Sequence, residues 1–301
     1  MKSSWTNVLI KAAKGWNADN VFKHSAAVSF CTLFSLAPIT IIAVTVAGLF
    51  LGKEEAGNQL TKQVTALVGP ASAELITKAA EASQAQHDSW IATTVGIILV
   101  VVGATTVFGQ LQDSLNAIWG VRTRPSKSGW VVLILHRLVS FAMVVTVGFL
   151  LLVSLVLTTF VTSTLGRFSG TFLDSPAVLQ VADLLGSLVV ITSLFALMFK
   201  IMPDVKLKWK EVWLGAALTA VLFTAGRYLI ALYLSHSTVA SIYGTAGSLV
   251  ALLIWVYYSC AILFFGVEFI RAHRVLHHHP VQPKETAVLV REEIVQSIRK
   301  G

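Results

Sequence analysis

Charge is what this chain has least of. Asp, Glu, Lys and Arg make up 13% of its 301 residues, about half the ~25% share of an average soluble domain. With 55% hydrophobic residues and a mean hydropathy of +0.75, the chain lacks the polar surface that a water-facing globule needs, and a bilayer is the solvent that removes the conflict. Cysteine is nearly missing as well. Cys31 and Cys260 both stand inside apolar runs, which argues against a disulfide framework and against a thiolate metal site. The signatures of catalysis are lacking too: neither H-E-x-x-H nor G-x-S-x-G occurs, and the stretch from Gly48 reads G-x-x-x-G-K-E, without Walker spacing or its Ser/Thr. No secretory signal is evident, because the first apolar run is too long for a signal h-region and reads as an uncleaved span.

Long apolar runs are abundant. A helix needs about 20 apolar residues to cross roughly 30 Å of hydrocarbon, and six stretches meet that length: Ala26–Leu51, Trp90–Gly109, Val131–Val161, Val178–Phe199, Val212–Leu234 and Thr245–Phe269. The expected fold is therefore all-α, a polytopic membrane protein with six transmembrane helices. Residues 1–25 form an N-terminal segment, 26–270 the membrane domain with an external helical loop at 52–89, and 271–301 a tail. In the loop, Leu60, Val64, Leu67 and Val68 share a helical face, Gly69-Pro70 breaks it, and Leu75, Ile76, Ala79 and Ala80 resume it. In the tail, Val290, Ile294 and Ile298 recur every four residues, the pattern of a short amphipathic helix that docks on the protein, the inner leaflet or a partner.

Basic residues give the orientation. Seventeen of the 23 Lys and Arg fall in segments on one side of the six spans, and four (Lys53, Lys62, Lys78 and Arg167) fall on the other. By the positive-inside rule both termini are expected to be cytoplasmic, with the chain crossing the membrane as a multi-pass protein. The net charge of +8 is then mainly a topology signal, and nucleic acid is not an expected partner.

Ionisable groups within spans are costly to bury and so are the first functional candidates. Arg227 lies about 7 residues before the external end of the fifth span, roughly 10 Å deep. Its side chain leans toward the helix N-terminus, away from that end. Asp183 sits at a similar depth in the fourth span, so the expectation is either an Arg227–Asp183 pair or an Arg227 that receives an anionic headgroup. Trp255, Tyr257 and Tyr258 stand at mid-depth in the sixth span, suited to a pocket wall or to plain packing. A second polar layer lies near the cytoplasmic face: Asp113 and Asn116 end the second span, His136 and Arg137 open the third, and Glu268 closes the sixth. In the first span Ser25, Ser29 and Thr32 share a face ahead of Pro38, as packing groups or as part of a hinge at the proline. The run His277-His278-His279 is a weak metal binder, since no clustered acids or cysteines accompany it.

Four blocks carry a resemblance. They are Ala26 to Pro38 (AAVSFCTLFSLAP); Leu115-Asn116-Ala117-Ile118-Trp119; Pro203-Asp204-Val205-Lys206 with Trp209 and Gly215-Ala216; and Tyr243-Gly244, Gly247-Ser248, Trp255, Tyr257-Tyr258 and Glu268. In combination they resemble the YihY/BrkB family of bacterial inner-membrane proteins, once labelled ribonuclease BN, with Cys31 where a tyrosine is more usual. The resemblance implies a six-helix inner-membrane fold, a role in envelope integrity or serum resistance, and a suspected part in moving lipid or lipopolysaccharide precursors. It implies no catalytic residue and no cofactor. The leading expectation is a transporter or flippase for an anionic amphipathic substrate, with membrane lipids as partners and Asp113, Asp183 and Glu268 as proton-carrier candidates. The alternatives are a non-transporting scaffold for envelope machinery and, least favoured, an enzyme such as the legacy ribonuclease or one using His136 or His236.

Overall fold

The computed structural model describes residues 5–35, 90–124, 176–236 and 247–290. Among them, α1 spans Trp5–Ala18, α2 Trp90–Trp119, β1 Val121–Thr123, α3 Pro176–Ile201, α4 Trp209–His236, α5 Gly247–Leu276 and β2 Ala287–Leu289. Residues 21–35 are also helical. Three helical stretches are long and apolar enough to cross a membrane among the described residues: Leu184–Ile201, Trp209–Ile230 and Leu249–Leu276. The third span, the external loop and the tail beyond Val290 lie outside the described residues, as do Pro38 and Arg137.

The caps are local and readable. Asn20 adopts a left-handed φ of 50° after α1, a conformation Asn tolerates better than most residues, and the next helical turn starts at once with Lys23 N–H donating to the Asn20 carbonyl. Gly120, at φ 64°, ends α2 as glycine does at a helix C-terminus. Pro176 opens α3, where its missing N–H costs nothing. Glu211 reaches back to the Lys208 N–H at 3.3 Å to cap α4.

α4 is the central helix of the described bundle, packed on α3 and on α5, while α1 lies on α5. Two glycines set how closely α4 and α5 approach. A Cβ on Gly266 would strike the Thr219 hydroxyl, and one on Gly215 would strike Ile270. The close approach is thus held by absent side chains, a common solution where helices cannot rely on hydrophobic burial against water. The Ser35 hydroxyl bonds the Gly103 carbonyl and so ties the 21–35 helix to α2. Ser25, Ser29 and Thr32 donate to carbonyls of their own helix one turn back. A continuous core runs through Val28, Leu115, Phe199, Val212, Val256 and Phe264. On the outside, Leu184, Val189, Leu214, Val221, Leu229 and Leu232 are exposed, as expected of surfaces that face acyl chains.

At one end of the bundle the chain changes character. α5 has 30 residues, about 45 Å of helix, longer than the ~30 Å of hydrocarbon. It runs on to Leu276, past the Phe269 limit drawn from hydropathy. Beyond it the chain turns back, and β2 pairs antiparallel with β1 in the register Val121↔Leu289, Arg122↔Val288 and Thr123↔Ala287. A further bridge joins Val205 to Pro283. The tail therefore touches both the turn after α2 and the turn between α3 and α4.

Candidate functional site

The residues expected in an outer and an inner polar layer sit at two levels of the described bundle. In the outer layer, α5 meets α4 through aromatic rings. Tyr258 lies directly on the backbone of Gly226, where any Cβ would overlap its ring and hydroxyl. One turn along, Trp255 stands edge-on to Phe223 at 6.0 Å. Trp255 and Tyr258 thus pack directly on the helix that carries Arg227, the plain-packing use of these rings. Arg227 occupies the neighbouring strip of α4 and is half-buried. Among the described side chains its partner is Tyr228: Nη2 donates to the phenol oxygen at 3.4 Å, and the guanidinium carbon sits 5.2 Å from the ring centroid, within cation–π range. Asp183 is placed on α3, but its side chain is outside the described set, so its pairing with Arg227 stays an expectation from sequence.

The inner layer is denser. Asn116 and Asp204 make two hydrogen bonds, from Asn116 Nδ2 to Asp204 Oδ2 at 2.9 Å and from the Asp204 backbone N–H to Asn116 Oδ1 at 2.8 Å. Both residues are buried, so this clamp locks the end of α2 to the α3–α4 turn. The Asp204 carbonyl also accepts from the Lys284 N–H at 2.9 Å. Lys284 Nζ donates to the Ile201 carbonyl at 3.0 Å. Burial pushes the Lys284 ammonium below its ordinary range, with Asp204 opposing that shift and Lys200 adding to it.

Glu268 is buried under α1. Gly15 leaves the space its carboxylate fills, because a Cβ there would run into Glu268 Oε2. Arg271, one turn further on, pairs with Asp19 and reaches Glu268 Oε1 at 3.5 Å. Among the described residues Arg274 is the most enclosed cation. It pairs with Glu211 at 2.8 Å and donates to the Pro280 carbonyl at 2.7 Å and the Lys206 carbonyl at 3.3 Å. Side-chain exposure of 6% for Arg274 and 8% for Glu211 marks the pair as internal.

Between these groups lies an open cleft of about 670 Å³, lined by Asp19, Asp113, Asn116, Arg122, Thr123 and Arg271 among others. Carboxylates and guanidinium groups of both signs border it, an arrangement that can hold polar or charged groups. The sequence groups Asp113, Asn116, Arg137 and Glu268 as an inner layer; the structure places Asp113 and Asn116 on this cleft and Glu268 beside Arg271, which also lines it. The partners of Asn116 (Asp204) and of Glu268 (Asp19 and Arg271), and the Arg274–Glu211 pair, were not legible in the sequence. One signal was available: Glu268, Arg271 and Arg274 recur every three residues, one face of a helix continuing past the apolar run. Among the described residues no group of three or more His, Cys, Asp or Glu is placed to hold a metal ion. In the histidine run, His277 stacks on His273 at 4.2 Å and bonds its carbonyl at 2.8 Å.

A protein family described as Virulence factor BrkB matches residues 12–288. The chain belongs to the BrkB family. The match begins within α1 and ends inside β2, so the BrkB pattern covers the buried acid cluster, the clamp and the tail strand as well as the apolar helices. Among curated relatives, a UPF0761 membrane protein of Stenotrophomonas maltophilia (strain K279a) is 27% identical over 88% of this chain and 60% of its own length. One of Alcanivorax borkumensis is 24% identical over 92% of this chain and 62% of its own, and one of Pseudomonas aeruginosa (strain LESB58) is 26% identical over 82% and 58%. This BrkB-family chain thus spans about 60% of the length of these relatives. No solved structure matches it. Membership and the apolar helices together make it a BrkB-family membrane protein.

Proposed function

We propose that this membrane protein moves an anionic amphipathic molecule, of the lipid or lipopolysaccharide-precursor class, across a bacterial cytoplasmic membrane in support of envelope integrity. In this reading six spans cross the bilayer with both termini in the cytoplasm. The observation that carries it is Arg227. A guanidinium on a membrane helix is expensive unless it meets an anion or a polar cavity, and here it stands beside Tyr228 and one strip round from the rings of Trp255 and Tyr258. Arg227, with Asp183, receives the headgroup, and the exposed apolar faces of α3 and α4 accommodate acyl chains. The inner cleft, with Asp113, Asn116 and the neighbouring Glu268, is the cytoplasmic end of the route; Arg137 and Pro38, which lie outside the described residues, are assigned to that end and to the hinge from sequence alone. Protons carried by acidic groups of the two layers, or a downhill gradient, supply the drive.

Reconstitution tests this. The full chain in liposomes is expected to accelerate exchange of a fluorescent anionic lipid between leaflets. Arg227→Ala should slow the protein-dependent rate by about tenfold, the scale of one charge-assisted contact, and Arg227→Lys should retain part of it. No acceleration across several lipid classes and imposed gradients would remove the transport reading and leave the scaffold in its place.

A further inference from the structure

α1 is the one described helix whose surface divides three ways. Val8 and Ala12 are buried against Phe269 and Ala272 of α5, with Gly15 seated on Glu268. At 100° per residue, Lys11 and Lys14 lie on one flank of that buried strip, and Trp5, Leu9 and Trp16 lie on the other, about 170° from the lysines. Both lysines are exposed. So are Trp5 at 57% and Leu9 at 41%, with Ile10 at 54% further round. Trp5 is held in place by stacking on Phe269 at 6.3 Å and His273 at 5.8 Å, yet over half of it faces outward. Trp16 spends its indole N–H on the Ala261 carbonyl at 3.1 Å.

An apolar flank opposite a cationic flank is the pattern of a helix lying in a bilayer interface, with tryptophan at the boundary and lysine at the phosphates. Position agrees: α1 packs on the part of α5 where the apolar run gives way to Arg271, His273 and Arg274. Charge settles which surface fits, since α1 contains two lysines and no acid. Exposed Lys23 and Phe22 continue the same mixture into the next helix.

We infer that α1 is an interfacial helix that docks on anionic phospholipid headgroups, with Lys11 and Lys14 at the phosphates, Trp5 and Leu9 among the upper acyl carbons, and Val8 and Ala12 fixed on α5. This holds whether or not the protein transports anything. Because Gly15 packs on Glu268 and Asp19 pairs with Arg271, the docked helix also holds the roof over the buried acid.

Amide hydrogen exchange of the full chain in nanodiscs tests it, comparing phosphatidylcholine alone with phosphatidylglycerol-containing bilayers. Peptides covering residues 5–18 are expected to exchange about thirtyfold more slowly with the anionic lipid, on the scale of two lysines at a charged surface. High salt should remove that difference, and so should Lys11→Gln with Lys14→Gln, while α5 peptides keep their protection and report an intact fold. Leu9→Gln should speed exchange in both bilayers. Equal exchange in the two bilayers, or a difference that survives the lysine substitutions, overturns the inference. Protection that depends on a second copy in the disc, rather than on lipid charge, overturns it too.

Discussion

Arg274 and Glu211 form an ion pair from which water is nearly excluded, and such pairs respond asymmetrically to mutation. Removing one partner leaves a charge in a medium that cannot solvate it, at a cost of about 3–5 kcal/mol, whereas replacing both with apolar residues is often neutral. Arg274→Ala is therefore expected to lower the thermal midpoint of the detergent-solubilised protein substantially, and the double variant Arg274→Met with Glu211→Leu to recover most of the loss. Equal losses in the single and double variants would show that the carbonyl contacts to Lys206 and Pro280 matter more than the charges. At this scale the sequence singled out Glu268, Asn116 and Arg227 because burial of such groups is costly. It did not name the partners of Glu268 and Asn116. Asp204 stands 88 positions from Asn116, and no local spacing links the two. Arg271 and Arg274 count as tail cations when charge is tallied by distance from an apolar run, and only the continuation of α5 to Leu276 brings them inside.

Among the elements, the long helices announced themselves as unbroken apolar runs, whereas α1 and the two strands did not. α1 has 14 residues, too few to cross a bilayer, and its two lysines place it with the cytoplasmic segment by charge. Strands of three residues are too short for alternation to stand out, and their pairing spans most of the chain. The sheet nonetheless makes a sharp prediction. The backbone bonds Arg124 N–H to Thr286 O and Val290 N–H to Gly120 O, both 2.8 Å, flank the Arg122–Val288 pair, so the two-residue alternation of an antiparallel ladder makes that a bonded pair as well. Val288→Pro removes its donor. Residues 121–124 and 286–290 should then exchange amide hydrogen about tenfold faster, the equivalent of one lost bond, while α3 and α4 are unaffected. Unchanged exchange in both segments would mean that the sheet is not a stable element of the protein.

For the molecule as a whole, the expected orientation rests on arithmetic over basic residues and can be checked directly. In a Cys31→Ser/Cys260→Ser background, Lys62→Cys is expected to react with a membrane-impermeant maleimide in intact spheroplasts. Lys14→Cys and Lys206→Cys should react only after the membrane is opened. The reverse pattern would invert the topology and place α1 and the acid cluster outside. The helical membrane character of the chain was legible at this scale because the bilayer imposes one length and one polarity on a span. What composition could not supply was the close approach of α4 and α5, which depends on which glycine faces which side chain.

The pairing of β1 with β2 also dictates an order of events. Residues 121–123 emerge from the ribosome early and have no strand partner until 287–289 have followed, by which time the intervening apolar segments must already have been handed to the membrane. The same holds for the Val205–Pro283 bridge and for the Arg274 contact to Pro280. Closure of this face is therefore a late step in biogenesis, and a chain stalled before residue 280 would carry its α2 and α3–α4 turns open to the quality-control proteases of the cell.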